Sequence, residues 1–372
     1  MSKPAVTYMK REFRKVMPVF VLAALYAGAV CALLYGRLCD ANTEMRLLFS
    51  YPESYGVRVG DTFIIELCDI LDKFHAIAVI ILEILLIQKV FYLENRAGIC
   101  DFLTILPIRQ RDKILMKVCA GESVIFGFCL LFGVLGSAVN AALNPGLSEI
   151  NAFVPNMARV ANSYAMLWQI VLMMFLSMSA IFLVLFVVQC CIHNVPVAAF
   201  TGIGILLAPI YYTSLNYLMT SLGRGLMKVT MGLIHPYPDI DGALVNQDSP
   251  YEEISVSLIH WDTMQFMFLF LAAVIVIALG ILVLSFRFRW NIRESDYSLI
   301  NSPAVTEFII TGFSVSVGTA AAWFLGYEIR MTPRGMTGNS YQFFVASLIA
   351  GAVVWAAAHV IAAVNAKRQR AM

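Results

Sequence analysis

Eight stretches of this chain are too long and too apolar to be hidden inside a soluble domain of its size. They run at about 17–36, 75–92, 118–142, 164–192, 195–219, 263–285, 305–326 and 342–364. A helix of about 20 residues crosses a hydrocarbon core of roughly 30 Å. Lipid offers no partner to a backbone N–H or C=O, so each crossing segment must bond internally as a helix. The composition agrees: 60% of the residues are hydrophobic and only 13% charged, against about 25% charged in a soluble domain. The expected fold is all-α, a polytopic helical membrane protein with about eight spans in a single transmembrane domain.

The N-terminus is basic and then apolar, like a secretory signal. The apolar run at 17–36 is 20 residues long, beyond the roughly 7–15 of a cleavable segment, so it reads as a retained first span. Before it, Val6, Met9, Phe13 and Val16 fall on one helical face and Lys10, Arg11, Arg14 and Lys15 on others. This predicts an amphipathic helix in the inner interface, its cations near anionic lipid. His193-Asn194-Val195-Pro196 is the one break in 164–219, read as the turn of a tight helical hairpin.

Charge sorting sets the orientation. With the N-terminus inside, 16 Lys and Arg fall on the inner side and 9 on the outer, while acidic residues divide 6 inside to 15 outside. Cytoplasmic loops carry the excess of cations. Both termini are therefore expected in the cytoplasm of a multi-pass protein of the cell membrane. The longest outer segments are 37–74 and 220–262. Within the first, Phe63, Leu67, Ile70 and Phe74 form an apolar stripe beside Glu66, Asp69 and Asp72. Cys39 and Cys68 both lie there, so a disulfide and two thiols are the alternatives. No cysteine or histidine spacing marks a metal site.

Between spans 2 and 3 lies the one sizeable basic loop, 94–117, within Tyr92–Val118: YLENRAGICDFLTILPIRQRDKILMKV. Pro107 breaks a short mixed segment, and Ile108–Lys117 can run straight into span 3. Read as residues alone, this is either an ordinary cytoplasmic loop or an element that presents side chains to a cytosolic partner. Glu94, Gly98, Asp101, Leu103, Leu106-Pro107, Arg111, Lys113 and Lys117 together resemble the stretch between spans 2 and 3 of ABC-2-type transporter permeases. Arg111 stands four residues after Pro107, where three is commoner in that family. The resemblance implies that Glu94, Gly98, Asp101, Leu103, Pro107, Arg109, Arg111 and Lys113 form a cytoplasmic coupling helix on an ATPase subunit. It also implies cytosolic ABC ATPase partners, a second permease subunit in a homo- or heterodimer, and ATP with Mg held by the partner. Phe286–Glu294 followed by two more spans looks like the layout of multispan Gram-positive members.

This chain has no GxxxxGK[ST] loop and no Gly-Lys dipeptide, so no phosphate cradle and no cofactor are expected in it. It is not expected to be an enzyme, and no nucleic-acid partner is expected; membrane lipid is. Glu83, inside IAVIILEILLI, is the most interior carboxylate and the candidate for a translocation path. A charge there costs about 2.5–3.5 kcal/mol on insertion scales, so it must face a cavity or a partner. The alternative is a protonated or hydrogen-bonded packing residue. Glu122 and Glu307 lie a turn inside the inner boundary and are expected to reach the interface or nearby cations. Gly28, Ala32 and Gly36, with Ala24, form a small-residue stripe fit for close helix packing, within the chain or across a dimer.

The expected activity is export of an amphiphilic, lipid-like or peptide substrate by a permease. The alternatives are an ion- or proton-coupled secondary transporter and a non-transporting sensor or immunity protein. A secondary transporter built on inverted repeats would show matched halves with several interior charges, which the sequence does not. The zinc-protease motif HExxH of an intramembrane enzyme is absent.

Overall fold

A computed structural model of the chain describes residues 3–50, 58–59, 62–91, 109–153, 163–191, 198–199, 201–206, 228–237, 239–245, 254–260, 262–287, 303–325, 331–332, 335–336 and 340–370. The long helices are α1 (Lys3–Ser50), α2 (Thr62–Phe91), α3 (Gln110–Phe153), α4 (Ser163–Cys191), α5 (Asp262–Arg287), α6 (Pro303–Phe324) and α7 (Ser340–Arg370). Four helical stretches among the described residues are long and apolar enough to cross a membrane: Val6–Asp40, Arg111–Ala142, Tyr164–Cys190 and Met264–Val283. Large apolar side chains such as Leu25, Ile77, Val276 and Leu348 point outward and are mostly exposed. Such a surface suits hydrocarbon rather than water. The architecture is that of an α-helical membrane protein. The windows at 75–92, 305–326 and 342–364 fall in α2, α6 and α7, and most of 207–219 lies outside the described residues.

The chain forms two compact units. Unit 1 comprises Met1–Phe182 and Gly232–Ile275; unit 2 comprises Leu183–Met231 and Val276–Met372.

In unit 1, α1 packs against α2 and α3. Its buried face is Tyr8, Glu12, Val16, Val19, Ala23, Ala27, Val30, Leu34 and Leu38. These positions advance in steps of four, four and three, close to the 3.6-residue turn. One face therefore stays on its neighbours for most of the helix. The basic N-terminal segment is not a separate interfacial helix, as expected from its amphipathicity; it is the first turns of α1, and Pro18 lies inside the same helix. The Val6–Val16 stripe is split, with Val16 buried and Val6 exposed.

Gly28 and Gly36 have open space where a Cβ would stand, and Ala32 is exposed. Each step of four residues turns about 40° past a full revolution. The small-residue stripe thereby winds off the buried face, and it is not a helix contact within unit 1. The close approaches lie on α3 instead. A Cβ on Gly121 would strike the Phe182 ring, and one on Gly133 would meet the Trp168 ring at 2.8 Å; both partners are on α4.

The segment expected on the outer side is more structured than a loop. Thr62–Phe74 continues α2 without a break, burying Phe63, Leu67 and Ile70 while Phe74 is exposed. Cys39 and Cys68 are thiols, not a disulfide. A small sheet in order β1-β3-β2 joins β1 (Arg58–Val59), β2 (Asp239–Val245) and β3 (Ile254–His260). β2 and β3 are antiparallel, with Asp239 opposite His260, and β1 runs parallel to β3. The acidic 235–262 segment thus adds strands to a helical fold.

In unit 2, residues 201–206 are helical and Gly202 lies against Leu185 of α4; the turn read at His193–Pro196 lies outside the described residues. α6 and α7 pack through their main chains. A Cβ on Gly318 would strike the Ser347 carbonyl and meet the Gly351 nitrogen at 2.8 Å. β4 (Met331–Thr332) and β5 (Gly335–Met336) form a short antiparallel pair.

Candidate functional site

The centre of unit 1 holds one carboxylate that its surroundings do not satisfy. Glu83 lies about two turns from the Phe91 end of α2, on the face that also carries Val79, Leu86 and Val90, all buried. The same spacing that seals this helix against α1 and α3 takes Glu83 inside with it. It is 1% exposed, and neither carboxylate oxygen has a hydrogen-bond partner. Beside it is a void of about 10 Å³ walled by Val19 and Ala23 of α1, Val124, Ile125 and Phe128 of α3, and Met178 of α4. The space admits at most one water, which would need two to four polar partners, and the wall presents no polar surface to it, although Glu83 is among its residues.

Glu122 of α3 is close enough to act on Glu83 electrostatically. It is not turned to the interface or to a cation, as its position near the span end led us to expect. Ser179 of α4 donates a hydrogen bond to its Oε2 at 2.7 Å, while Oε1 is buried without a partner. Two turns further along α3 from Glu122, the thiol of Cys129 is within electrostatic reach of both carboxylates. Nothing in the spacing of Glu83, Glu122 and Ser179 joins them. Only the packing of α2, α3 and α4 does so.

The start of α3 is the second notable region. Arg109 and Arg111 are exposed and Lys113 is half-buried. The carbonyl of Arg109 accepts bonds from the Asp112 and Lys113 amides at 2.9 and 3.2 Å, opening the helix. Asp112 in the first turn complements the positive helix N-terminus; the cations oppose it, each by about 0.3–1 kcal/mol. Helix stability therefore does not account for the two exposed arginines here. Glu94, Gly98, Asp101, Leu103 and Pro107 lie outside the described residues. Further along, Lys117 is buried with its Nζ 4.6 Å from the Phe91 ring centre, a cation–π distance. On α1, buried Glu12 pairs with Lys15 at 2.5 Å.

At the Thr62 end of α2, Arg37 pairs with Glu66 at 3.2 Å and with Asp69, and Lys73 pairs with Asp69 at 2.8 Å. The Lys73 ammonium and then the Arg37 guanidinium hold the Asp69 carboxyl below the usual carboxylate range. Tyr237 donates to Asp72 at 3.3 Å and shares a 2.5 Å contact with His235. Burial, followed by the Asp72 charge, pushes the Tyr237 hydroxyl up. Ser177 of α4 donates to the Leu233 carbonyl at 2.6 Å, tying this turn to the bundle.

The geometry offers two kinds of chemistry: proton exchange at a buried carboxyl, and charge docking at a basic helix start. Comparison with family models, curated proteins and solved structures gives no match to this chain.

Proposed function

We propose that this chain is the membrane-spanning subunit of an ABC-2-type transporter, driven by ATP hydrolysed with Mg on separate cytosolic subunits. The observation that carries this reading is the start of α3. Exposed cations stand at the wrong end of the helix dipole, and the helix they open continues unbroken for 44 residues. At 1.5 Å per residue that is about 66 Å. A partner with an acidic surface would grip Arg109, Arg111 and Lys113, and a push on them would tilt α3 as a rod. The resemblance of 94–117 to the coupling stretch of ABC-2 permeases supports the same assignment. Charge sorting supports a multi-pass protein of the cell membrane with both termini inside. The apolar span walls favour export of an amphiphilic, lipid-like or peptide cargo, with a second permease subunit completing the path.

The test is co-purification from the native membrane. The chain is expected to carry an ATPase subunit with it, and reversing Arg109, Arg111 and Lys113 to Glu is expected to weaken that association at least tenfold. An unaltered complex would overturn the coupling role.

A second reading, a proton-coupled secondary transporter, is favoured by one observation: Glu83 has Glu122 as a neighbour where the sequence offered a single interior carboxylate. It requires gradient-driven flux by the purified chain alone, abolished by Glu83→Gln.

A further inference from the structure

Glu83 has no structural partner to explain its place. Both oxygens are bare of hydrogen bonds among the described residues, the side chain is 1% exposed, and the adjoining void is apolar. An unpaired carboxylate ion in such surroundings is far costlier than the neutral acid, so the group rests there as the acid. What it can take up is limited by the space and by the donors. A divalent cation gathers about six oxygens, and among the described residues no group of three His, Cys, Asp or Glu is placed to hold a metal ion. The void has no room for an organic cargo. A proton needs one oxygen.

Among the described residues, the ionisable groups around Glu83 are Glu122 and Cys129 on α3 and Tyr26 on α1, whose ring stacks at 6.1 Å on the Phe128 ring of the void wall. From α4 comes Ser179, through its bond to Glu122. None of these is a cation that would hold Glu83 ionised.

We propose that Glu83 is a proton-binding site within unit 1, taking up a proton from solution and returning it, with Glu122 as the second carboxyl of the site. On uptake a carboxylate oxygen gains H⁺ and the group becomes neutral; on release the same O–H bond breaks and the proton leaves, with no change in oxidation state. Release leaves an anion next to Glu122, so it requires Glu122 to be neutral or the helices around the void to part and admit water. The site belongs to the fold of unit 1 and goes beyond the transporter reading; its test uses neither ATPase nor cargo.

The full chain is reconstituted in lipid bilayers and its carboxyl groups are read by infrared spectroscopy. At neutral pH we expect a neutral-acid carbonyl band that shifts in D2O and disappears in Glu83→Gln with the helical amide band unchanged. Absence of a Glu83 acid band, or a band that never shifts in D2O, would overturn the proposal: the first means a permanent carboxylate, the second a sealed packing group. If Glu83→Gln does not fold, the wild-type chain is treated with a hydrophobic carbodiimide and digested. Modification at Glu83 supports the site, and modification confined to surface carboxyls sinks it.

Discussion

Two glutamates show how differently the two units treat the same side chain. In unit 2, Glu307 of α6 is about half exposed and well partnered: Trp355 donates to its Oε1 at 3.0 Å, and His359 lies 3.1 Å from its Oε2. In unit 1, Glu83 is buried and has no hydrogen-bond partner among the described residues. A carboxyl at an edge is held by whatever polar groups α7 offers, and its presence needs no function. A carboxyl at a centre is a cost the fold carries, and such costs collect where a protein works.

The largest effect we predict concerns the packing that encloses Glu83. Gly121→Leu drives a side chain into the Phe182 ring and should lower the unfolding free energy by about 3 kcal/mol, the upper part of the overpacking range. A reversible denaturant titration in detergent reads this; a change under about 1 kcal/mol would mean that α3 and α4 do not meet there. Next, Glu83→Leu removes a buried polar group with no hydrogen bond and fills the site with apolar volume. It should raise stability by about 1–3 kcal/mol while abolishing proton exchange. Destabilisation instead would show that Glu83 has a partner, and the contrast with Glu307 would fail. Glu307→Leu should act in the opposite sense, lowering stability by about 1 kcal/mol or less.

Gly28→Ala should raise stability by up to about 1 kcal/mol, since the residue faces open space and gains helix propensity. A loss of oligomer on gel filtration would reveal that its stripe meets a second copy. The smallest effect is at the Arg37–Asp69–Lys73 cluster. The Asp69 carboxyl is depressed in the fold, so its stabilisation is present above the unfolded value of about 3.9 and fades as pH falls through the folded value. Exposure keeps it within about 1 kcal/mol, measurable as a difference between wild type and Asp69→Asn that vanishes in acid.

Much of this was legible in the residues. Apolar length alone placed α4, α5 and α6 within a few residues, because bilayer thickness and helix rise leave little choice; α2 starts 13 residues before its window, since the amphipathic Thr62–Phe74 segment continues it. Glu83 stood out for a local reason, a charge in an unbroken apolar run. Glu122 did not, since a carboxylate one turn from a span end is usually content at the interface; its burial depends on Ser179, 57 residues away. The close glycine contacts within the chain were hidden for a related reason. Regular four-residue spacing made Gly28 and Gly36 conspicuous, yet a helix seam follows the steps of four, four and three seen in α1. Gly121 and Gly133 owe their importance to rings on another helix. The strands at 239–245 and 254–260 pair with each other and with Arg58–Val59, a long-range pairing that turn-rich composition hid.

The crossing of α6 and α7 has a mechanical corollary. Where Gly318 meets the main chain of Ser347 and Gly351, no side chain intervenes that could change rotamer and absorb a displacement. Sliding by one position would bring a Cβ against a peptide group, so direct main-chain contact resists a change of register between the two rods.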